Sequence, residues 1–178
     1  MRIITGTARG AKLEILDGDN TRPTTERVKE GLFSAIQFQI TGRRVLDLFC
    51  GSGQLSLEAL SRGAEFAVLV DVERKATDIA KRNALKTKLM KQTRIVTADY
   101  KDFIKNNKEQ FNLIFLDPPY SPTILNETLD KLSEHNIIGD EAIIVCESAE
   151  DGISSHEKFE IVKSYRYGKI YISVLNKR

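Results

Sequence analysis

Val45-Leu46-Asp47-Leu48-Phe49-Cys50-Gly51-Ser52-Gly53 runs from an apolar stretch into a pair of glycines. Val45–Phe49 is apolar throughout except for Asp47. That pattern suits a strand buried on both faces of a parallel sheet, not one with a wet face. Gly51 and Gly53 permit a tight turn and a close backbone approach to a ligand. Leu55–Leu60 then reads as a helix ending near Gly63. Sheets of this kind bind ligands beyond the carboxyl ends of their strands, where the strand order reverses. A pyrophosphate-binding loop would need a third glycine at position 56, and the residue there is Ser56. The loop therefore does not read as a dinucleotide site.

The same alternation continues downstream. Phe66–Val70 reads as a second strand, and Arg74–Leu85 as a helix with Ile79 and Ala80 turned inward. Thr93–Thr97, Leu113–Leu116 and Ala142–Cys146 read as further strands, with helices at Asp102–Asn107 and Ile124–Ser133. This rhythm predicts a doubly wound sheet with right-handed crossovers. The tail departs from it. Phe159–Tyr165 and Ile170–Leu175 are β-rich and too close together for an intervening helix, so they must pair antiparallel around Tyr167-Gly168. The expected class is α/β: a mostly parallel twisted sheet with a C-terminal antiparallel hairpin, similar to the class I (Rossmann-like) methyltransferase fold.

Upstream, Arg2–Thr5 and Lys12–Leu16 look like the arms of a hairpin around Gly6 and Gly10, and Asp17-Gly18-Asp19-Asn20 looks like a turn. Val28, Leu32, Phe33 and Ile36 recur at helical spacing after Pro23, with Thr24 or Thr25 as the N-cap. Residues 1–40 thus read as a hairpin-and-helix extension and residues 41–178 as the catalytic domain.

The 178 residues fit one domain, which can bury roughly 70% of its unfolded surface without a disulfide or metal. Cys50 and Cys146 fall in apolar segments read as strands, as reduced core thiols, and their separation excludes a metal pair. His135 and His156 read as solvated surface residues, and no metal site is expected. No run nears the ~20 apolar residues of a membrane span. Met1–Gly6 has no secretory apolar stretch, so a cytoplasmic location is expected. The net charge is only +2. Its bases gather at the two ends: Arg2, Arg9, Lys12, Arg22, Arg27, Lys29, Arg43 and Arg44, then Lys158, Lys163, Arg166, Lys169, Lys177 and Arg178. Basic ends around a neutral middle suit a polyanion held at the periphery, or equally an ordinary solvated surface.

Three acids follow three successive strands. Asp47 would repel a pyrophosphate but suits the ammonium of an amino-acid cofactor. Asp71, 24 residues on, is near the spacing at which an acid takes ribose hydroxyls. Asp99 could accept from an adenine amino group. Each alone could equally cap a helix. Together they favour a ligand that is both nucleoside and amino acid. The candidate cofactor set is Asp47, Phe49, Cys50, Gly51, Gly53, Asp71, Asp99 and Tyr100.

Asp117-Pro118-Pro119-Tyr120 follows the strand at Leu113–Leu116. Two prolines remove two donors and fix two φ angles, leaving a stiff rim with a carboxylate, free carbonyls and an aromatic face. The lone pair of an exocyclic base amine is delocalised into the ring. Acceptors on both of its hydrogens, Asp117 and the Pro118 carbonyl, would favour the pyramidal form that attacks a sulfonium methyl. Tyr120 would stack on the flipped base. Asp117, Pro118, Pro119 and Tyr120 are the candidate catalytic residues.

With Thr21-Arg22-Pro23-Thr24-Thr25-Glu26-Arg27-Val28-Lys29-Glu30, Asp47–Gly53, Leu57-Glu58-Ala59-Leu60-Ser61-Arg62-Gly63-Ala64, the Asp-Pro-Pro-Tyr motif and Tyr165-Arg166-Tyr167-Gly168, the chain resembles the bacterial 16S ribosomal RNA guanine-N2 methyltransferases of the RsmD type over nearly its full length. The resemblance implies S-adenosylmethionine as cofactor and one guanine of 16S rRNA as target. It also implies a partly assembled small-subunit particle as partner. The basic residues near the start suggest that residues 1–40 touch RNA, and neither an obligate protein partner nor a membrane is expected. It departs at Cys50, where alanine is expected, and at Asp71, where glutamate is commoner. Whether Arg22–Arg27 meets cofactor or RNA stays open. Rival readings are a DNA adenine-N6 methyltransferase, a protein glutamine methyltransferase, a nicotinamide-dependent oxidoreductase and a non-catalytic RNA-binding module.

Overall fold

The structure, a computed structural model, describes residues 1–16, 25–119, 122–149, 153 and 155–178. The Asp17–Asn20 turn, the Thr24 cap and Tyr120 lie outside them. The apolar run forms β1 (Arg44–Asp47), in which Val45 and Leu46 are fully exposed to neither side. Val45 joins the apolar cluster on one face of the sheet and Leu46 the cluster on the other. This is the two-sided burial that an unbroken apolar strand predicts.

The chain continues through α2 (Gln54–Ser61), β2 (Phe66–Asp71), α3 (Arg74–Lys86), β3 (Thr93–Thr97), α4 (Tyr100–Asn106), β4 (Phe111–Leu116), α5 (Pro122–Glu134) and β5 (Ile138–Ala149). It ends in β6 (Phe159–Tyr167) and β7 (Ile170–Lys177), preceded at the start by α1 (Glu26–Ala35). The sheet order is β3-β2-β1-β4-β5-β7-β6. β1 to β5 pair parallel, with Asp47 level with Leu69 on one side and Phe115 on the other. β7 pairs antiparallel with both β5 and β6, so the second arm of the tail hairpin lies between β5 and the first arm. The order reverses between β1 and β4, which puts the ends of those two strands at the switch point.

α1, α2 and α3 cover one face through Val28, Leu32, Leu57, Ala80 and Ala84, and α4 and α5 cover the other through Ile104, Leu125 and Leu129. β1 is shorter than the run Val45–Phe49, because Leu48 to Cys50 leave the ladder for the turn. Cys50 therefore lies in that turn and only Cys146 in a strand; both thiols are buried and unpaired. β5 is longer than its apolar segment. It begins at Ile138 and passes an irregular register near Glu141, whose φ is +51°, so the polar stretch Gly139–Glu141 hides its first part.

The N-terminal arms form one antiparallel bridge, Arg2 with Lys12, rather than a strand ladder. The reason is competition for backbone groups. The amides of Ile4 and Thr5 donate to the Glu58 carboxylate at 2.8 and 3.0 Å, and Thr7 and Ala8 donate to Ser61. Gly6, at φ +91°, allows this approach, since a Cβ there would overlap the Ser61 carbonyl. Ile3 and Leu13 enter the same apolar cluster as α1 and α2. Thr25 caps α1, its hydroxyl accepting from the Val28 amide at 3.3 Å. His156 is not solvated as expected. Its side chain is only 9% exposed, packing on Phe159 and meeting Asp130 at 3.2 Å. His135 is half-buried, with a ring nitrogen 2.9 Å from the Lys131 carbonyl. Among the described residues, no helix is long and apolar enough to cross a membrane.

Candidate active site

A cleft of about 600 Å³ opens at the carboxyl ends of β1 to β4, within the ~300–1,000 Å³ usual for small-molecule sites. Asp47, Gly51, Asp71, Asp99 and Asp117 all line it. So do Phe49, Cys50, Tyr100, Pro118 and Pro119. The topology accounts for the gathering, since each residue stands at or just past the end of a parallel strand.

Asp47 is 1% exposed. Its Oδ2 accepts from the Ser56 hydroxyl at 2.9 Å, while Oδ1 is buried and has no hydrogen-bond partner among the described residues. Burial pushes its carboxyl up to about 7, against the pull of Ser56 and with a smaller push from Asp71. The Oε1 of Gln54, on the same lining, is a second buried acceptor without a donor among the described residues. Sequence reading passed over Gln54, and took Ser56 only as a missing glycine. Two buried acceptors facing a cleft suit a multi-donor cation such as an ammonium.

Asp71 is fixed by backbone. Gly51 donates to its Oδ2 at 2.8 Å and Glu73 to its Oδ1 at 2.9 Å, so the carboxylate is aimed while each oxygen keeps a lone pair. Gly51 has φ +51° and open space where a Cβ would point, as a turn hugging a ligand requires. Gly53 does not line the cleft. It sits at φ +80° ahead of α2, where a Cβ would lie 2.9 Å from Leu69 and 3.3 Å from Ala80. Its role is close packing of α2 and α3 on the sheet. Burial pushes the Cys50 thiol well above its ordinary value, so it lines the cleft as an inert apolar group.

Asp99 is the N-cap of α4, accepting from the Lys101 amide at 2.8 Å, and also lines the cleft. The capping reading and the ligand-facing position coincide. The Tyr100 ring packs against Phe49 with centroids 5.1 Å apart, and its hydroxyl donates to Glu127 at 3.1 Å. Burial and Glu127 both raise the Tyr100 phenol, which stays neutral. Phe49, Tyr100 and Val72, the last 64% exposed, add apolar surface to the lining that holds the acids.

Asp117 follows the last residue of β4 and is half-buried, with Pro118 buried and Pro119 exposed. The Gly51 turn and the Asp117 rim are thereby neighbours across the β1–β4 switch.

The basic residues divide. Arg2, Arg9, Lys12 and Arg27 are exposed. Lys29 is fully buried, donating to the Arg2 carbonyl at 2.6 Å and lying 3.3 Å from Glu58, so it cannot belong to an RNA-facing charge cluster. Burial pulls its ammonium below the ordinary value, opposed by Glu58. Arg43 and Arg44 stand at the opposite end of β1 from the cleft, tied to backbone carbonyls and to Glu109. Glu58 and Asn83 are the buried polar residues that sequence reading missed. Asn83 had a signal, being three and four residues from inward-facing Ala80 and Ile79.

Comparison with known proteins agrees with this geometry. The model of the family described as Conserved hypothetical protein 95 matches residues 1–176. The ribosomal RNA small subunit methyltransferase D of Escherichia coli K12 is 38% identical, covering 86% of this chain and 77% of its own. The solved structure of yhhF from Escherichia coli superposes with a TM-score of 0.89 at 31% identity, covering 99% of this chain and 97% of that one. The ribosomal protein L11 methylase of Lactobacillus delbrueckii shares the fold alone, at TM-score 0.70 and 16% identity. The fold is thus the class I methyltransferase fold, and the chain belongs to the Conserved hypothetical protein 95 family of methyltransferases.

Proposed function

We propose that this protein methylates the exocyclic N2 amine of a guanine in small-subunit (16S) ribosomal RNA, on a partly assembled particle, using S-adenosylmethionine. The observation that carries the reading is the convergence, in one cleft, of a half-satisfied buried acid, Asp47, with the Asp117-Pro118-Pro119 rim across the switch point. The small-subunit methyltransferase relative supports RNA over other amine substrates.

The donor set fits the cofactor. Asp47 and Gln54 would accept from its ammonium, Asp71 from its ribose hydroxyls, and Asp99 with the Phe49–Tyr100 pair would hold its adenine. When bound, S-adenosylmethionine supplies an electrophilic methyl on a sulfonium. Asp117 and the Pro118 carbonyl accept the two N–H groups of the guanine amine and release its lone pair from the ring. The Asp117 carboxylate can take a proton as the nitrogen gains charge. Tyr120, outside the described residues, is proposed to stack on the base. Residues 1–40, with exposed Arg2, Arg9 and Lys12, are proposed as the RNA-contacting part of the chain.

Incubation with methyl-labelled cofactor and naked 16S RNA, 30S particles or duplex DNA tests the reading. Label should appear at guanine N2 in RNA, most strongly in particles. Label on adenine in DNA, or none on any nucleic acid, overturns it.

A further inference from the structure

The segment Glu14–Leu16 belongs to the part proposed to contact RNA, yet it also reaches the cleft. Ile15 and Leu16 line the cleft, and Ile15 is 44% exposed. What brings them there is Asn83 of α3, which is fully buried. Its Oδ1 accepts from the Glu14 amide at 2.8 Å, and its Nδ2 donates to the Glu14 carbonyl at 2.9 Å. The same Nδ2 donates to the Ser52 carbonyl at 2.9 Å. One side chain thus clasps both backbone groups of Glu14 and joins them to the residue after Gly51. Gly51 in turn holds the Asp71 carboxylate. Glu14 adds an outer tie to Arg82, at 2.9 Å, on the same helix.

Burying a side-chain amide costs free energy unless it is hydrogen-bonded, and the three bonds of Asn83 meet that need while fixing Glu14 to the Ser52 turn. The partners of Asn83 are a non-regular segment 69 residues away and the turn carrying the ligand-facing glycine. The segment sets two apolar residues on the same cleft lining as Val72 and Ala76.

We propose that Ile15 and Leu16 form a strap over the nucleoside end of the cofactor site, and that Asn83 is the positioning residue holding the strap to the cofactor turn. The inference rests on the cofactor reading above. The strap covers the ribose held by Asp71 and excludes water from its hydrogen bonds, so it raises affinity without a polar contact of its own. The extension that carries the basic N-terminal residues is then a wall of the cofactor site as well.

The test measures S-adenosylhomocysteine affinity by calorimetry, with melting temperature of the ligand-free protein, for wild type, the double variant Ile15→Ala/Leu16→Ala, and Asn83→Ala. Failure of wild type to bind overturns the cofactor reading itself. If wild type binds, the double variant should bind about tenfold more weakly, since its side chains lie at the cleft rather than in the core. Its melting temperature should stay within a few degrees of wild type. Asn83→Ala should weaken binding at least as much, and adding Ile15→Ala/Leu16→Ala to it should cost little more, because the strap is already loose. Wild-type affinity in the double variant, or full additivity of the two changes, refutes the strap.

Discussion

The two ends of α2 each meet a buried carboxylate, and the two are served very differently. In its C-terminal half, Glu58 is fully buried and takes four donors: Lys29, Arg62 at 2.8 Å, and the amides of Ile4 and Thr5. Arg62 also stacks over Phe33 at 4.7 Å, closing the cluster. Beside its first turn, Asp47 is as deeply buried; the Ser56 hydroxyl and the backbone of Phe49 and Ser56 draw on its carboxylate, yet Oδ1 has no hydrogen-bond partner among the described residues. Buried charge demands partners. Where the protein supplies all of them, the acid is a rivet between the N-terminal segment, α1 and α2. Where an oxygen at a cleft has no donor among the described residues, the proposed function assigns that donor to a ligand.

The largest effect should come from the rivet. Glu58→Gln leaves the Lys29 ammonium buried without a counter-charge and should cost about 3–5 kcal/mol of stability. Chemical denaturation reads this directly, and a loss under 1 kcal/mol would break the contrast with Asp47.

Asp47 should act in the opposite sense. Its folded carboxyl titrates near 7 against an ordinary 3.8, so the folded protein binds the extra proton between those values. Its contribution to stability is full below pH 4 and is lost as pH rises towards 7. At ~1.4 kcal/mol per pKa unit this amounts to a few kcal/mol. Subtracting the stability profile of Asp47→Asn from that of wild type should isolate the slope, and a flat difference would rule out the raised carboxyl.

Asp117 sharpens the comparison on the chemical side, because the proposed function gives it to the substrate rather than the cofactor. Asp117→Ala should lower single-turnover methylation by about 10²-fold or more while leaving cofactor affinity nearly intact. Asp117→Asn, which keeps one acceptor oxygen, should fall between. Joint loss of melting temperature and cofactor binding in both variants would make Asp117 structural instead.

The smallest effect concerns the surface above the rivet. Replacing Arg2, Arg9 and Lys12 by alanine should flatten the salt dependence of RNA binding by a slope of about 0.7–0.9 per lost phosphate contact. An unchanged slope would remove the N-terminal segment from the RNA interface.

Sequence alone made the sheet legible because its information is local. An unbroken apolar run, a glycine turn and a β-rich tail each dictate their element from neighbouring residues. The convergence of Asp47, Asp71, Asp99 and Asp117 was also legible, because parallel strands must put their ends on one edge. The N-terminal segment was not, since its backbone is satisfied by Glu58, Ser61 and Asn83, all more than 50 residues away. No local pattern announces such partners. The same holds for Ser56, which looks like a failed glycine until Asp47 is seen beside it, and for Lys29, whose charge suggests surface.

Titration of S-adenosylhomocysteine into wild type and Asp47→Asn tests the central claim most directly, that Asp47 is reserved for the cofactor's ammonium. At pH 8 the asparagine should weaken binding about tenfold or more, as expected for a lost charged hydrogen bond worth about 1.5–3 kcal/mol. The ligand-free variant should melt no lower than wild type. Wild-type affinity should also fall as pH drops below 7, with a proton released on each binding event. Equal affinity of the two proteins at pH 8, or binding that releases no proton near pH 6, would contradict the account.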